Sequence, residues 1–293
     1  MKYVIKSNLN DPHRNLAAEE FLTANIGEGT ELLFLWQNSP TVVIGKNQNS
    51  RAECNLDKMG ADGVLLSRRL SGGGTVFHDL GNLCFSFISH EKIHNVTRQL
   101  SVIAAACRTF GIDAKATGRN DVEADGRKFS GNAFYSVGEN KCHHGTVLIS
   151  ADKSRLANYL TVSKTKLEAK GIKSVRSRVV NLDELVPEIT VEAFEQALID
   201  AFAPDMTLPM PSETLFAERA NFLSSREWLL GSDPEFTDEI KYRTAEGEFT
   251  LHLTVKGETV TDCAVYTDSL DTEAAERIRA EVIGKRIDDV KNR

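Results

Sequence analysis

The sequence predicts an α+β fold built around a largely antiparallel or mixed sheet. Three observations carry that expectation. Apolar runs of strand length cluster before and between helical segments, regular βαβ alternation is absent, and Asp125-Gly126 offers a favoured two-residue hairpin turn.

A first helix is expected over Asn15–Asn25, where Ala18, Phe21 and Leu22 recur at helical spacing. Strand-like runs follow at Glu31–Gln37, Thr41–Ile44, Val64–Ser67, Thr75–Phe77 and Leu83–Ile88. Leu100, Ile103, Ala104, Cys107 and Phe110 then share one helix face, and Gly111 stands where a helix stop belongs. Val122–Ala133 reads as the hairpin, Thr146–Ile149 as a strand, and Ser154–Leu160 and Val191–Phe202 as helices. Pro204, Pro209 and Pro211 mark one loop and Gly231–Asp238 another. Beyond them Phe249, Leu251, Leu253 and Val255 alternate as one strand face, Gly257 turns the chain into Val260–Tyr266, and Ala275, Ile278 and Val282 line a short helix. This divides the chain into a main domain, 1–244, and a small C-terminal accessory α/β lobe, 245–293. About fifty residues hold too little core to be comfortable alone, so the lobe is expected to pack on the main domain and to be mobile there.

Composition narrows the function classes. A hydrophobic share of 41% with 26% charged residues is that of an ordinary globular protein, and a net charge of −7 argues against a nucleic-acid binder. The five cysteines are scattered without a CxxC pair, so neither a disulfide framework nor a structural zinc site is expected. No leading apolar run and no stretch of membrane-spanning length occur, which points to a reducing, cytoplasmic setting away from membranes.

Chemistry concentrates in Arg68-Arg69-Leu70-Ser71-Gly72-Gly73-Gly74-Thr75-Val76-Phe77-His78-Asp79. Consecutive glycines leave backbone N–H groups uncovered and tolerate positive φ, so the loop can wrap an anion, and two arginines upstream supply permanent charge for phosphate. A plain glycine turn between strands is the competing reading; neither GxxxxGK[ST] nor GxGxxG is present. Asp121 offers a hard oxygen to Mg²⁺, Asn120 an amide to a nucleotide, and Lys128 a cation two residues after the turn. Each alone could equally be a solvated hairpin residue.

Together, Arg-Arg-x-Ser-Gly-Gly-Gly…His-Asp, Gly118–Asp121, Lys128–Ala133 and His143-His144-Gly145-Thr146 resemble, in this order, the lipoate–protein ligase A family of the biotin/lipoate ligase superfamily. Trp36–Asn49 and Leu156–Glu184 are similar to it as well, so the resemblance runs from Asn15 to Ser269. It implies a biotin/lipoate ligase-like catalytic domain that uses ATP and Mg²⁺ to make lipoyl-AMP from lipoate (or octanoate). The lipoyl group then passes to a lysine of a lipoyl domain of a 2-oxoacid dehydrogenase complex or of glycine-cleavage H protein. By the same resemblance Arg69, Gly73, Gly74, Thr75, Val76, Phe77, Asn120, Asp121 and Lys128 contact ATP or the adenylate, with Lys128 the catalytic cation and Asp121 the Mg²⁺ ligand. Trp36, Arg69, His78, Lys128 and His144 face lipoate, and Ser136–His143, hinged at Gly138, forms a lid. Two departures stand out: the tail is shorter than the family pattern, and Cys142 directly precedes the histidine pair. An exposed Cys142 would admit the alternative of an ATP-independent, cysteine-dependent octanoyl or lipoyl transferase.

Overall fold

The computed structural model describes residues 1–118, 120–161, 179–231 and 234–291. Arg119 and residues 162–178, which carry part of the Gly118–Asp121 and Leu156–Glu184 resemblances, lie outside the described residues. The strands are β1 (Lys2–Lys6), β2 (Glu31–Trp36), β3 (Thr41–Ile44), β4 (Leu65–Arg68), β5 (Val76–His78), β6 (Asn82–His90) and β7 (Ala114–Thr117). They continue with β8 (Asp121–Ala124), β9 (Arg127–Val137), β10 (Asn140–Leu148), β11 (Met206–Leu208), β12 (Asp238–Arg243), β13 (Glu248–Lys256) and β14 (Thr259–Thr267).

Eight strands form the main sheet in the order β11-β1-β2-β6-β10-β9-β8-β7. β1 runs parallel to both of its neighbours and the remaining pairs are antiparallel, so the sheet is mixed, as expected. Every residue of β2 and β6 is buried, which is why these read as continuous apolar runs. Helix Pro12–Asn25 covers one face; Asp11 caps it by accepting from the His13 and Arg14 amides, and Pro12 occupies the first turn. Helices Val96–Thr109 and Val191–Phe202 cover the other face over Phe85, Phe87, Phe129 and Val147. At the hairpin tip Asp125 and Gly126 both have positive φ, 51° and 68°, the turn their sequence demands.

A second sheet, β4-β3-β5, frames the glycine-rich segment. The third, β12-β13-β14, packs Phe249, Leu251 and Leu253 against helix Ala274–Val282. The expected division after residue 244 falls in the turn joining β12 to β13 of this last sheet. Its end docks on the main domain: Gly73 N–H donates to Ser269 O (2.9 Å) and Thr267 N–H to Asn47 O (3.0 Å).

Strands β1, β7, β11 and β12 were not foreseen. β7 and β11 are short sheet edges, and β12 is largely charged, so none has a strong two-residue alternation of apolar side chains. The expected lid over Ser136–His143 is instead the closed end of the β9–β10 hairpin. Its ladder continues to Val137 opposite Asn140, and Asn140 Nδ2 is tied to the Ile26 carbonyl (3.3 Å).

Phe87 is fully buried between the sheet and Phe202. Phe87→Ala is expected to lower stability by about 3–5 kcal/mol, read as a lower urea midpoint at unchanged m-value.

Candidate active site

The glycine loop is shaped from beneath by arginine. Arg69 is buried, and its guanidinium donates to the carbonyls of Gly72 (2.8 Å), Gly74 (2.8 Å) and Val43 (3.3 Å) and to Ser71 Oγ (3.1 Å). Arg68 donates to the carbonyls of Lys46 (2.9 Å), Gln48 (2.6 Å), Trp228 (2.8 Å) and Leu229 (2.9 Å). Burial pushes both guanidinium pKa values down to about 10, which still leaves them charged at neutral pH. The structure therefore places Arg69 inside the loop rather than on its outer surface.

Close backbone packing explains the glycines. A Cβ at Gly45 would lie 2.2 Å from Gly73 O, one at Gly72 would lie 2.2 Å from Ser269 O, and Gly73 has φ +94°. Gly74 is exposed with open space about it. Thr75 Oγ1 donates to Gln48 Oε1 (3.1 Å), which also accepts from Gly45 N–H (2.8 Å), while the buried Gln48 Nε2 has no partner among the described residues. Phe77 stacks on Tyr159 with centroids 5.9 Å apart, so its ring belongs to the core under β3.

From the loop a chain of polar groups crosses to helix Pro12–Asn25. Ser71 Oγ lies 2.6 Å from His144 Nε2, and His144 Nδ1 lies 2.9 and 3.0 Å from the two oxygens of Glu19. A carboxylate only accepts and Arg69 only donates, so for a neutral imidazole one sense of donation satisfies the chain: Arg69 to Ser71, Ser71 to His144, His144 to Glu19. Glu19 also accepts from Ser86 and from Tyr135 (3.2 Å), and Trp36 Nε1 donates to Ser86 Oγ (3.1 Å). Trp36 meets His78 edge to face at 6.2 Å. His78 Nδ1 contacts Asn38 Nδ2 (3.1 Å) and its buried Nε2 has no partner among the described residues; burial, with Arg69 and His144 nearby, lowers its pKa to about 3. Trp36, Arg69, Gly73, Gly74, Thr75, His78 and His144 thus share one region.

The second group sits at the β8–β9 hairpin. Lys128 Nζ lies 2.7 Å from Asp121 Oδ1, both half-buried, and an added Cβ at Gly131 would meet Lys128 Nζ at 3.0 Å. Asn120 and Asn132 clasp each other: each side-chain amide donates to the other's carbonyl (3.0 Å), and Asn132 N–H donates to Asn120 O (2.8 Å). Strands β9 and β10 join the two groups, since His144 pairs with Ala133 on the strand that carries Lys128.

Cys142 is not exposed as expected. It is buried against helix Pro12–Asn25, and desolvation, with Glu19 second, raises its thiol well above the usual range. Glu19, Cys142 and His144 place one ligand atom each within 4.8 Å, a geometry compatible with a cation, but the carboxylate and imidazole are already engaged in the polar chain. Glu19 was missed by the sequence reading. A glutamate three residues from both Leu16 and Leu22, on the apolar face of a helix, is the signal that would have found it. Removing it strands several buried donors, so Glu19→Ala is expected to destabilise by about 3–5 kcal/mol and Glu19→Gln by about 1–2 kcal/mol, measured by urea denaturation. Equal losses would show that the carboxylate rather than the side-chain volume is what matters, and an unchanged Gln variant that volume alone does.

A family model described as the lipoyl protein ligase A/B catalytic domain matches residues 11–203, and one described as the bacterial lipoate protein ligase C-terminus matches 233–291. Over 300 aligned residues the chain is 38% identical to lipoate-protein ligase A of Psychrobacter cryohalolentis, covering 97% of this chain and 88% of that one. P. falciparum LipL1, crystallised with lipoate, superposes with a TM-score of 0.85 at 32% identity, over 98% of this chain and 90% of that one. A chain from the Thermoplasma acidophilum system of a bipartite lipoate protein ligase and its E2 lipoyl domain gives 0.70 at 27% identity, over 80% and 98%. With the catalytic-domain match spanning both the glycine loop and the Lys128 hairpin, the chain belongs to the lipoate–protein ligase family.

Proposed function

We propose that the protein activates lipoate (or octanoate) with ATP and passes the acyl group to a lysine of a lipoyl domain, as found in 2-oxoacid dehydrogenase complexes and glycine-cleavage H protein. The observation that carries this reading is the Lys128–Asp121 pair: a half-exposed cation held 2.7 Å from a carboxylate at the mouth of a hairpin. A carboxylate in that position suits Mg²⁺, which keeps several waters and bridges to phosphate oxygens. Bound there, the ion would supply charge neutralisation to the nucleotide's phosphates. The relatives support the substrates: LipL1 was crystallised with lipoate, and the archaeal system pairs a lipoate protein ligase with an E2 lipoyl domain.

In the first half-reaction a lipoate carboxylate oxygen bonds to the α-phosphorus of ATP, the bond to the bridging oxygen breaks, and pyrophosphate leaves. Lys128, freed from Asp121, balances charge on the α-phosphate and the incoming carboxylate. The glycine loop with Gly73, Gly74, Thr75 and Val76 seats the phosphates, Arg69 holds that loop's shape, and Asn120 orients the nucleotide. Trp36, His78 and His144 face the acyl chain; the unpartnered His78 Nε2 is a buried polar atom in want of a ligand. In the second half-reaction the acceptor lysine's amine bonds to the acyl carbonyl, AMP leaves, and the nitrogen sheds a proton.

Thiol chemistry is disfavoured because all five cysteines are buried and the nucleophile of a transferase must be an accessible thiolate. Lipoate-stimulated, Mg²⁺-dependent exchange of pyrophosphate into ATP is the test of this reading, and turnover of an acyl-thioester without such exchange would defeat it. Lys128→Ala is expected to lower the exchange rate by about two to three powers of ten with the fold intact; a change confined to KM would restrict Lys128 to ground-state binding. Cys142→Ser is expected to retain ATP-dependent lipoylation, with no acyl-enzyme of the wild type visible by intact-protein mass spectrometry. A stable Cys142 adduct lost in the serine variant would favour the transferase.

A further inference from the structure

Behind the sheet, on the face away from the glycine loop, lies a second polar chain that the proposed chemistry does not use. His143 is fully buried among Phe85, Phe87 and Phe134, with ring centroids 5.8, 5.8 and 4.8 Å away. Its Nε2 lies 2.8 Å from Asn132 Oδ1 and its Nδ1 lies 2.9 Å from Gln99 Oε1 on helix Val96–Thr109. Asn132 Nδ2 is already committed to Asn120 O, so Oδ1 is the atom turned to His143, and it can only accept. The Nε2–H of His143 therefore donates to Asn132. Burial lowers the His143 pKa to about 3, so the ring is neutral and Nδ1 is an acceptor, which is met when the Gln99 amide is turned end for end so that Nε2 takes the place of Oε1.

Two further features fit this arrangement. Gly145, opposite Asn132 on β10, has no room for a Cβ: it would lie 3.0 Å from Asn132 Oδ1 and 2.6 Å from Gly131 O. The missing side chain is what lets Asn132 lie close over β10 towards His143. On its other side Asn132 makes all three hydrogen bonds of the clasp with Asn120, the residue next to the Lys128 partner Asp121.

We propose that His143 is a positioning residue for the nucleotide: from the rear of the sheet it fixes Asn132, and through the Asn132–Asn120 clasp it sets where Asn120 and Asp121 stand. The inference rests on the proposed adenylation for the reaction step, but the positioning itself predicts ATP affinity directly. The test compares His143→Phe, which keeps a ring in the aromatic nest but donates nothing, with His143→Gln, whose amide N–H can replace Nε2. Calorimetric affinity for ATP with Mg²⁺ and the KM values for ATP and lipoate in pyrophosphate exchange are measured together.

Loss of one such buried hydrogen bond is expected to weaken ATP binding and raise the ATP KM about tenfold in the Phe variant. The lipoate KM should stay unchanged, and the Gln variant should recover most of the loss. Unchanged ATP affinity in the Phe variant overturns the proposal, as does equal impairment in both variants, which would mean packing alone. Should the Phe variant not fold, Gln99→Leu removes the support on the far side of the ring; a weaker ATP affinity upholds the proposal and an unchanged one overturns it. A wild type that binds ATP yet shows no exchange would refute adenylation while leaving the affinity comparison to decide the role of His143. A wild type that does not bind ATP refutes both.

Discussion

Successive residues of a strand face opposite sides of a sheet, and at β10 this constraint assigns two adjacent histidines to two separate tasks. His144 faces helix Pro12–Asn25 and joins Ser71 in the glycine loop to the buried Glu19. His143 faces helix Val96–Thr109 and joins Gln99 to Asn132. A strand shifted by one residue would exchange the two and break both chains at once. The register is held by an unbroken ladder, from Asn140 opposite His90 to Leu148 opposite Asn82, so the geometry of the site is set by the pairing of β10 with β6.

The glycine loop depends on that frame because it has little to hold itself. Its side chains are nearly absent, and it owes its form to the Arg69 guanidinium beneath it and to backbone neighbours too close for a Cβ. Burying a charge is expensive unless its donors are met, and here carbonyls of the loop and its surroundings meet them. The C-terminal unit reaches the same loop, where Ser269 O takes the Gly73 N–H. The small third sheet is therefore coupled mechanically to the segment proposed to hold phosphate.

Much of this was legible in the chain and some was not, for physical reasons. Thr41–Ile44 and Val191–Phe202 stand where their patterns put them, and Asp125-Gly126 makes its turn, because each is decided by local sequence. Short edge strands such as β11 carry no periodicity to read. The glycine loop announced its capacity for an anion, yet the inward direction of Arg69 depends on carbonyls of Val43, Gly72 and Gly74 gathered by folding. Cys142 stands among polar neighbours in sequence but is two residues from His144 on a ladder, so it shares the buried face with Glu19. Asn132 and Gln99 owe their meaning to His143, distant from both in the chain, and no local pattern exposes such pairs.

An acyl transfer that passes through a mixed anhydride needs no nucleophile from the enzyme, and this changes what the fold must supply. The reacting atoms belong to substrates, so rate depends on holding them and on meeting charge as it develops. Such a site places few reactive groups at its centre and many supporting hydrogen bonds behind it. The two polar chains fit that requirement: one runs from the loop to a buried carboxylate, the other from the Asn120 clasp to a neutral imidazole among phenylalanines. Their inner bonds, at Glu19, His144, His143 and Gln99, are buried, where a hydrogen bond is least screened and an unmet donor is most costly. Rigidity of this kind is what a lysine cation, paired with Asp121 and half exposed on a hairpin, requires in order to act at a defined point.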